Sequence, residues 1–140
     1  MPQDTPAIAP EDLLSMLLFS ETKDPEDAIA IASVVMNRLK RPKRFGGTLE
    51  EVIRKPYQFT GVGSKEWKKV ENRKLNEQER AIYDQLREVA KGVIMGSISD
   101  PTGGADHYYN PKIATPSWGN MPDRYPETYK TGSHRYLREM

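Results

Sequence analysis

The sequence predicts a single, mostly α-helical domain of the α+β class with a small β element. Three observations carry this. Apolar residues recur at helical spacing around Leu13–Leu18, Ile29–Leu39 and Ile82–Val93. Helix start and stop signals bracket those runs. From Asp100 onward the chain turns to Gly, Pro and aromatic residues, which suit turns and short strands. The 140 residues fit one domain with one core.

Residues 1–10 hold three prolines and read as a flexible lead-in, so the domain is placed at 11–140. Glu11 to Phe19 reads as the first helix, with Leu13, Leu14, Leu17 and Leu18 on one wide apolar face. Glu21 falls just after it. Asp24-Pro25-Glu26-Asp27 opens a second helix: Asp24 can cap free N–H groups, Pro25 suits the first position, and the acids meet the positive end of the dipole. That helix runs to about Leu39. Ile29, Ala32, Val35, Met36 and Leu39 line one face, and Ala28, Ala30 and Ile31 widen it, so it is the expected core helix. Pro42 stops it, and Phe45-Gly46-Gly47 reads as a turn. Thr48 with Glu51 caps a short helix over Leu49–Arg54. Tyr57-Gln58-Phe59 follows as loop, and residues 61–75 carry no periodicity. Asn76 with Glu79 caps a further helix over Ala81–Met95 that ends at Gly96. Ala105–Tyr109 reads as a short strand.

Composition excludes several function classes. Lys and Arg number 21 against 20 Asp and Glu, a net charge of +1, which lacks the cationic surplus that nucleic-acid binding needs. The local run Lys40, Arg41, Lys43, Arg44 reads as a solvated helix end and a cationic rim. With no cysteine, neither a disulfide framework nor a thiolate zinc site is possible. No apolar run is long enough to cross a bilayer, so no stable membrane insertion is expected.

Three places hold candidate chemistry. Glu21 sits at the junction of two apolar helices, where lost hydration raises a carboxyl pKa and suits it to general-acid work. Spacing alone does not separate this from a solvent-facing Glu at a helix end. In Tyr57-Gln58-Phe59, an amide between rings can bind a sugar hydroxyl or acetamido group, or be a solvated residue on an apolar plug. In Gly103-Gly104-Ala105-Asp106-His107-Tyr108, the glycines permit unusual backbone or close approach. Asp106, His107 and His134 can be read as a metal set, but the histidines stand far apart without helical spacing, which speaks against zinc. No metal and no cofactor are expected. His107 and His134 are expected to hold loops or touch substrate. Some of the tail aromatics, among them Tyr108, Tyr109, Trp118, Tyr125, Tyr129 and Tyr136, are expected to line a groove.

The ordered set Phe19-Ser20-Glu21, Ala30-Ile31-Ala32-Ser33-Val34-Val35-Met36-Asn37-Arg38, Gln58-Phe59, Asp100 to Tyr108 and Gly132-Ser133-His134-Arg135-Tyr136 resembles the SleB-type cell wall hydrolases. The resemblance implies a lysozyme-like, transglycosylase-like fold. It also implies cleavage between N-acetylmuramic acid and N-acetylglucosamine in peptidoglycan, with Glu21 as catalytic acid. The chain departs from that pattern after Glu21, where the loop is about two residues shorter and a second family Glu is replaced near Lys23-Asp24. Two carboxyl groups usually flank the bond in a hydrolysing glycosidase. One acid suffices for a lytic transglycosylase, in which the sugar's own 6-hydroxyl is the nucleophile, and that route is expected here. Asp24 or Asp106 stays open as a second acid. The expected division of labour gives Ser20 the orienting of Glu21. Gln58, Phe59 and Tyr108 contact sugar, and Asp106, His107, His134 and Arg135 form the far wall. Asn37 and Arg38 brace a helix end. The alternatives are a hydrolytic muramidase, a non-catalytic wall-binding or virion module, and a zinc amidase. A monomer acting on glycan strands in the cell wall is expected. Residues 1–10 carry no signal-peptide pattern, which points to a phage endolysin-like protein held in the cytoplasm until release.

Overall fold

The computed structural model describes residues 8–56 and 58–140. Most of the expected lead-in, and Tyr57 of the Tyr57-Gln58-Phe59 triplet, therefore lie outside the described residues.

Helix α1 spans Pro10–Glu21, so it begins inside the expected lead-in and ends on Glu21 itself. Pro10 has no N–H to waste at the first position, and Glu11 and Asp12 meet the positive end of the dipole. Leu13, Leu14, Met16, Leu17, Leu18 and Phe19 are all buried, so α1 is covered on nearly every side. Its serines satisfy themselves within the helix: Ser15 donates to the Glu11 carbonyl at 2.5 Å and Ser20 to the Met16 carbonyl at 2.7 Å.

Helix α2 spans Pro25–Leu39, as its start signals predict, and the Asp24 side chain accepts from the Glu26 N–H at 3.1 Å. Ala28, Ala30, Ile31, Ala32, Val34 and Val35 are fully buried. Pro42 does stop α2, but it also opens a single helical turn, α3 (Pro42–Phe45), which runs into the expected Phe45-Gly46-Gly47 turn. A proline that cannot continue one helix is pre-set to begin the next. Helix α4 (Leu49–Arg54) is capped by Thr48. Helix α5 (Lys65–Glu71) falls in the stretch without periodicity. Its only fully buried residue is Trp67, with Val70 half-buried against the core, so no long apolar repeat announced it; the Ser64 cap was its clearest signal. Helix α6 (Glu77–Met95) has the full reciprocal capping box of Asn76 and Glu79, and lies across α1 and α2 to close the core.

The β element has three strands: β1 (His107–Tyr109), β2 (Glu127–Lys130) and β3 (Arg135–Leu137), antiparallel in the order β1-β3-β2. Only β1 was predicted, and it is shorter than Ala105–Tyr109. Strands of three or four residues are too short to display a period-two pattern.

Helix α2 ties the sheet to the helices at both of its ends. Near its C-terminus, Asn37 donates to Asp100 and to the Ala105 carbonyl, each at 2.9 Å, and Arg38 donates to the Asp106 carbonyl at 2.8 Å. Both residues thus brace the approach to β1. The loop between needs left-handed backbone at Gly103 (φ 70°) and Gly104 (φ 87°), which only glycine adopts without strain. Near its N-terminus, Asp27 reaches β3 and the turn before it.

Candidate functional site

A cleft of about 630 Å³ opens between the end of α1, the 58–60 loop, β1 and the tail. Clefts of this size suit small ligands or a segment of a longer one. Its walls include Ser20, Glu21, Arg38, Gln58, His107, Tyr108, Tyr109, Trp118, Tyr125 and His134. Residues from five distant parts of the sequence meet there.

Glu21 projects into this cleft from the last residue of α1. The Tyr108 hydroxyl donates to its Oε1. Gly61 closes on the other side: a Cβ built there would stand 2.5 Å from Glu21 Oε2 and 2.9 Å from the Ser20 Cβ. The backbone can pass this close only because residue 61 has no side chain. Burial pushes the Glu21 carboxyl above its ordinary value of 4.5. The Tyr108 hydrogen bond, the charge of His134 and the Gly61 backbone oppose that push without cancelling it. A helix C-terminus is a negative pole, so it too favours the neutral carboxyl. The arrangement can hold a proton and release it to a nearby oxygen.

His134 is fixed from behind. Asp27 is fully buried and accepts from His134 Nδ1 at 2.7 Å, from Thr131 at 2.8 Å and from the Tyr136 hydroxyl. Burial raises the Asp27 pKa, but these hydrogen bonds outweigh it and hold the carboxyl below its usual range. With Nδ1 engaged, the other ring nitrogen of His134 is the one left for the cleft. His107 is held in the same manner by Asp106 at 2.8 Å.

The structure sorts the sequence candidates. Ser20, Glu21, Gln58, His107, Tyr108 and His134 share the cleft. Ser20 spends its hydroxyl on the Met16 carbonyl; the donor on Glu21 is Tyr108. Phe59 is buried behind the wall, its ring 6.2 Å from that of Tyr108. Asp106 is also behind the wall: it accepts from Arg41 at 2.7 Å, His107 at 2.8 Å and the Glu139 N–H at 2.9 Å. Burial raises its pKa, but these donors hold it below the ordinary value. Arg135 turns outward toward Glu127 at 3.7 Å, because successive strand residues face opposite sides. Asp24 is an exposed helix cap. Among the described residues, Glu21 is therefore the one carboxylate in the cleft wall. Among them, too, no three His, Asp or Glu side chains converge as a metal site: His107 and His134 bind separate aspartates.

Sequence reasoning missed Asp27, since an acid in the first turn of a helix already has a reason to be there. It also missed that Arg38 faces the cleft. The tail aromatics divide as expected in kind: Tyr108, Tyr109, Trp118 and Tyr125 line the groove, and Tyr136 is core.

A family model described as Cell Wall Hydrolase matches residues 22–137. The match begins one residue after Glu21, so the role of that residue rests on geometry. The chain is 32% identical to the spore cortex-lytic enzyme of Bacillus subtilis (strain 168) over 110 residues, covering 76% of this chain and 31% of that protein. It is 31% identical over 112 residues to the spore cortex-lytic enzyme of Bacillus cereus, covering 79% of this chain and 36% of that one. The chain thus spans about a third of the length of these relatives. Among solved structures, it superposes on the catalytic domain of the germination-specific lytic transglycosylase SleB from Bacillus anthracis with a TM-score of 0.71, at 24% identity, covering 98% of this chain and 100% of that one. The Bacillus cereus SleB catalytic domain gives 0.62 at 24% identity, covering 99% and 98%. At this identity the likeness is one of fold, and it agrees with the mostly helical α+β class expected from the sequence and with the lysozyme-like fold that the resemblance implies.

Proposed function

The chain belongs to the cell wall hydrolase family, and from that premise we propose that it cleaves peptidoglycan glycan strands between N-acetylmuramic acid and N-acetylglucosamine as a lytic transglycosylase. The observation that carries this reading is that Glu21 is the one carboxylate among the described cleft residues. Hydrolysis through paired acids needs a second carboxyl about 5–10 Å across the bond. The single-acid route does not.

In that route Glu21, kept neutral by burial, gives its proton to the bridging oxygen as the bond to the muramyl C1 breaks. The carboxylate so formed accepts from Tyr108. It then takes the proton of the muramyl 6-hydroxyl, whose oxygen closes on C1 to give a 1,6-anhydro end. Glu21 is neutral again, so the proton count balances. Gln58, Tyr108, His107 and His134 contact the sugars, and Tyr109, Trp118 and Tyr125 offer ring faces to pyranose rings. Asp27 and Asp106 act through the histidines they hold. Phe59 backs Tyr108. Its place of action in this reading is the cell wall; no helix among the described residues is long and apolar enough to cross a membrane.

The test is digestion of purified peptidoglycan with mass spectrometry of the products. Anhydro-muramyl ends are expected, and hydrated reducing ends would mean a muramidase instead. Glu21→Gln keeps shape and removes the acid, so cleavage should fall about 10²–10⁴-fold. Undiminished cleavage by that variant would remove Glu21 from the chemistry.

A further inference from the structure

One cation in the cleft wall has, among the described residues, no carboxylate in direct contact. Three guanidinium groups gather between the end of α2 and the C-terminus with two carboxylates, Asp106 and Glu139. Arg41 reaches Asp106 at 2.7 Å and Glu139 at 3.5 Å, and Arg44 reaches Glu139 at 3.1 Å. Arg38 is the third cation and the buried one, at 4% exposure. Among the described residues no carboxylate lies within ion-pair distance of it; its Nε and Nη1 meet neutral acceptors, the Asp106 carbonyl at 2.8 Å and Gln58 Oε1 at 3.1 Å. The rings of Phe45 and Phe59 stand 4.9 and 4.8 Å from its guanidinium carbon.

A buried cation without a partner anion is costly, and aromatic faces recover only part of the cost. Burial accordingly pulls the Arg38 pKa down to about 10. Yet Arg38 is held rigid and lines the same cleft as Glu21, with Arg44 beside it on the same wall. A guanidinium has five N–H donors in a fixed fork that suits a carboxylate, and two of its three nitrogens have neutral acceptors here. An anion entering the cleft would meet a positive charge already stripped of water and already oriented.

We propose that Arg38 receives a carboxylate carried by the muramyl unit, so that the cleft selects anionic glycan over neutral glycan. This deepens the peptidoglycan reading and rests on it. Two sources share the chemistry: the lactyl carboxylate of a muramyl residue without a peptide, and the carboxylates of a peptide stem. The competing reading makes Arg38 only a brace for Gln58 and the Asp106 carbonyl.

Binding to the Glu21→Gln protein, followed by calorimetry, tests this without turnover. The probes are a stem-free tetrasaccharide of alternating N-acetylglucosamine and N-acetylmuramic acid, its methyl ester, a stem-bearing muropeptide, that muropeptide with its carboxylates amidated, and chitotetraose. A carboxylate form should bind about 10- to 100-fold tighter than its neutralised counterpart. That ratio should fall toward one when Arg38→Gln is added. A preference within the tetrasaccharide pair assigns the lactyl group; a preference confined to the muropeptide pair assigns the stem. Equal binding of charged and neutral forms with Arg38 intact overturns the proposal, and needs no second variant that must fold. In that case the peptidoglycan reading survives. Binding to none of the five probes by folded protein overturns both.

Discussion

Glu21 is held between opposing influences, and each can be removed separately. Burial raises its pKa, and the Tyr108 hydroxyl, which stabilises the carboxylate, lowers it. Replacing Tyr108 by Phe deletes the lowering influence alone. The pKa of Glu21 then rises, and the alkaline limb of the pH–rate profile, set by loss of the acid's proton, should move to higher pH. A limb that stays in place or moves down would show that Tyr108 does not govern this carboxyl. The same burial makes a claim about stability. Glu21 titrates near 4.5 in the unfolded chain and above that in the folded one. Well below 4.5 both states are protonated and burial carries no charge penalty. As pH rises through that value the unfolded chain ionises first, so the folded state loses stability until the folded pKa is passed. Glu21→Gln should therefore raise the melting temperature at pH 7 and leave it unchanged at pH 3. A variant no more stable at pH 7 would mean that the carboxyl is not desolvated.

At the scale of elements, the site depends on how closely the 59–64 segment approaches the end of α1. Gly61 touches both Ser20 and Glu21, and a methyl group at that position has no room. Gly61→Ala should push the carboxyl aside and leave the helices intact. Cleavage of purified wall is expected to fall about 10²-fold, the cost of a misplacement near 1 Å, with an unchanged far-UV circular dichroism spectrum. Full activity in this variant would mean that Glu21 tolerates displacement. The elements that form the site were unequally legible. Helices α1, α2 and α6 announce themselves because a long amphipathic repeat and its caps are local properties. Helix α5 buries Trp67 alone, and β2 and β3 acquire their pairing only from one another and from β1.

Across the whole molecule, Asp27 couples the helical body to the sheet. Its carboxylate at the start of α2 holds His134 and Tyr136 from the β3 region and Thr131 from the preceding turn. Removing it should separate units that otherwise unfold together. For the wild-type protein, urea transitions followed by far-UV and near-UV circular dichroism should coincide. Asp27→Asn leaves a donor facing donors and should cost about 1–3 kcal/mol of stability. Its near-UV signal, from the aromatics of the tail, should be lost before the helical signal. The Asp27 pKa lies below 3.8 when folded, so its contribution is present above 3.8 and is lost as pH falls through the folded value. The gap between wild type and variant should close in that acid range. Coincident transitions in the variant would show that the coupling lies elsewhere.

By itself the sequence determined the helical body, its caps and the near-balance of charge. Each follows from the order of residues over a few turns of chain. It also brought Glu21, Gln58, His107, Tyr108 and His134 forward as candidates. Which of them meet was decided by tertiary structure, which set Ser20 against its own helix, Phe59 and Asp106 behind the wall, and Arg135 outside it. The physical reason is that desolvation and charge pairing are properties of surroundings. The burial that lifts the pKa of Glu21, the three donors that converge on Asp27 and the neutral acceptors that hold Arg38 are assembled from segments as much as 107 residues apart, as in the Asp27–His134 bond. No local stretch of the chain contains them.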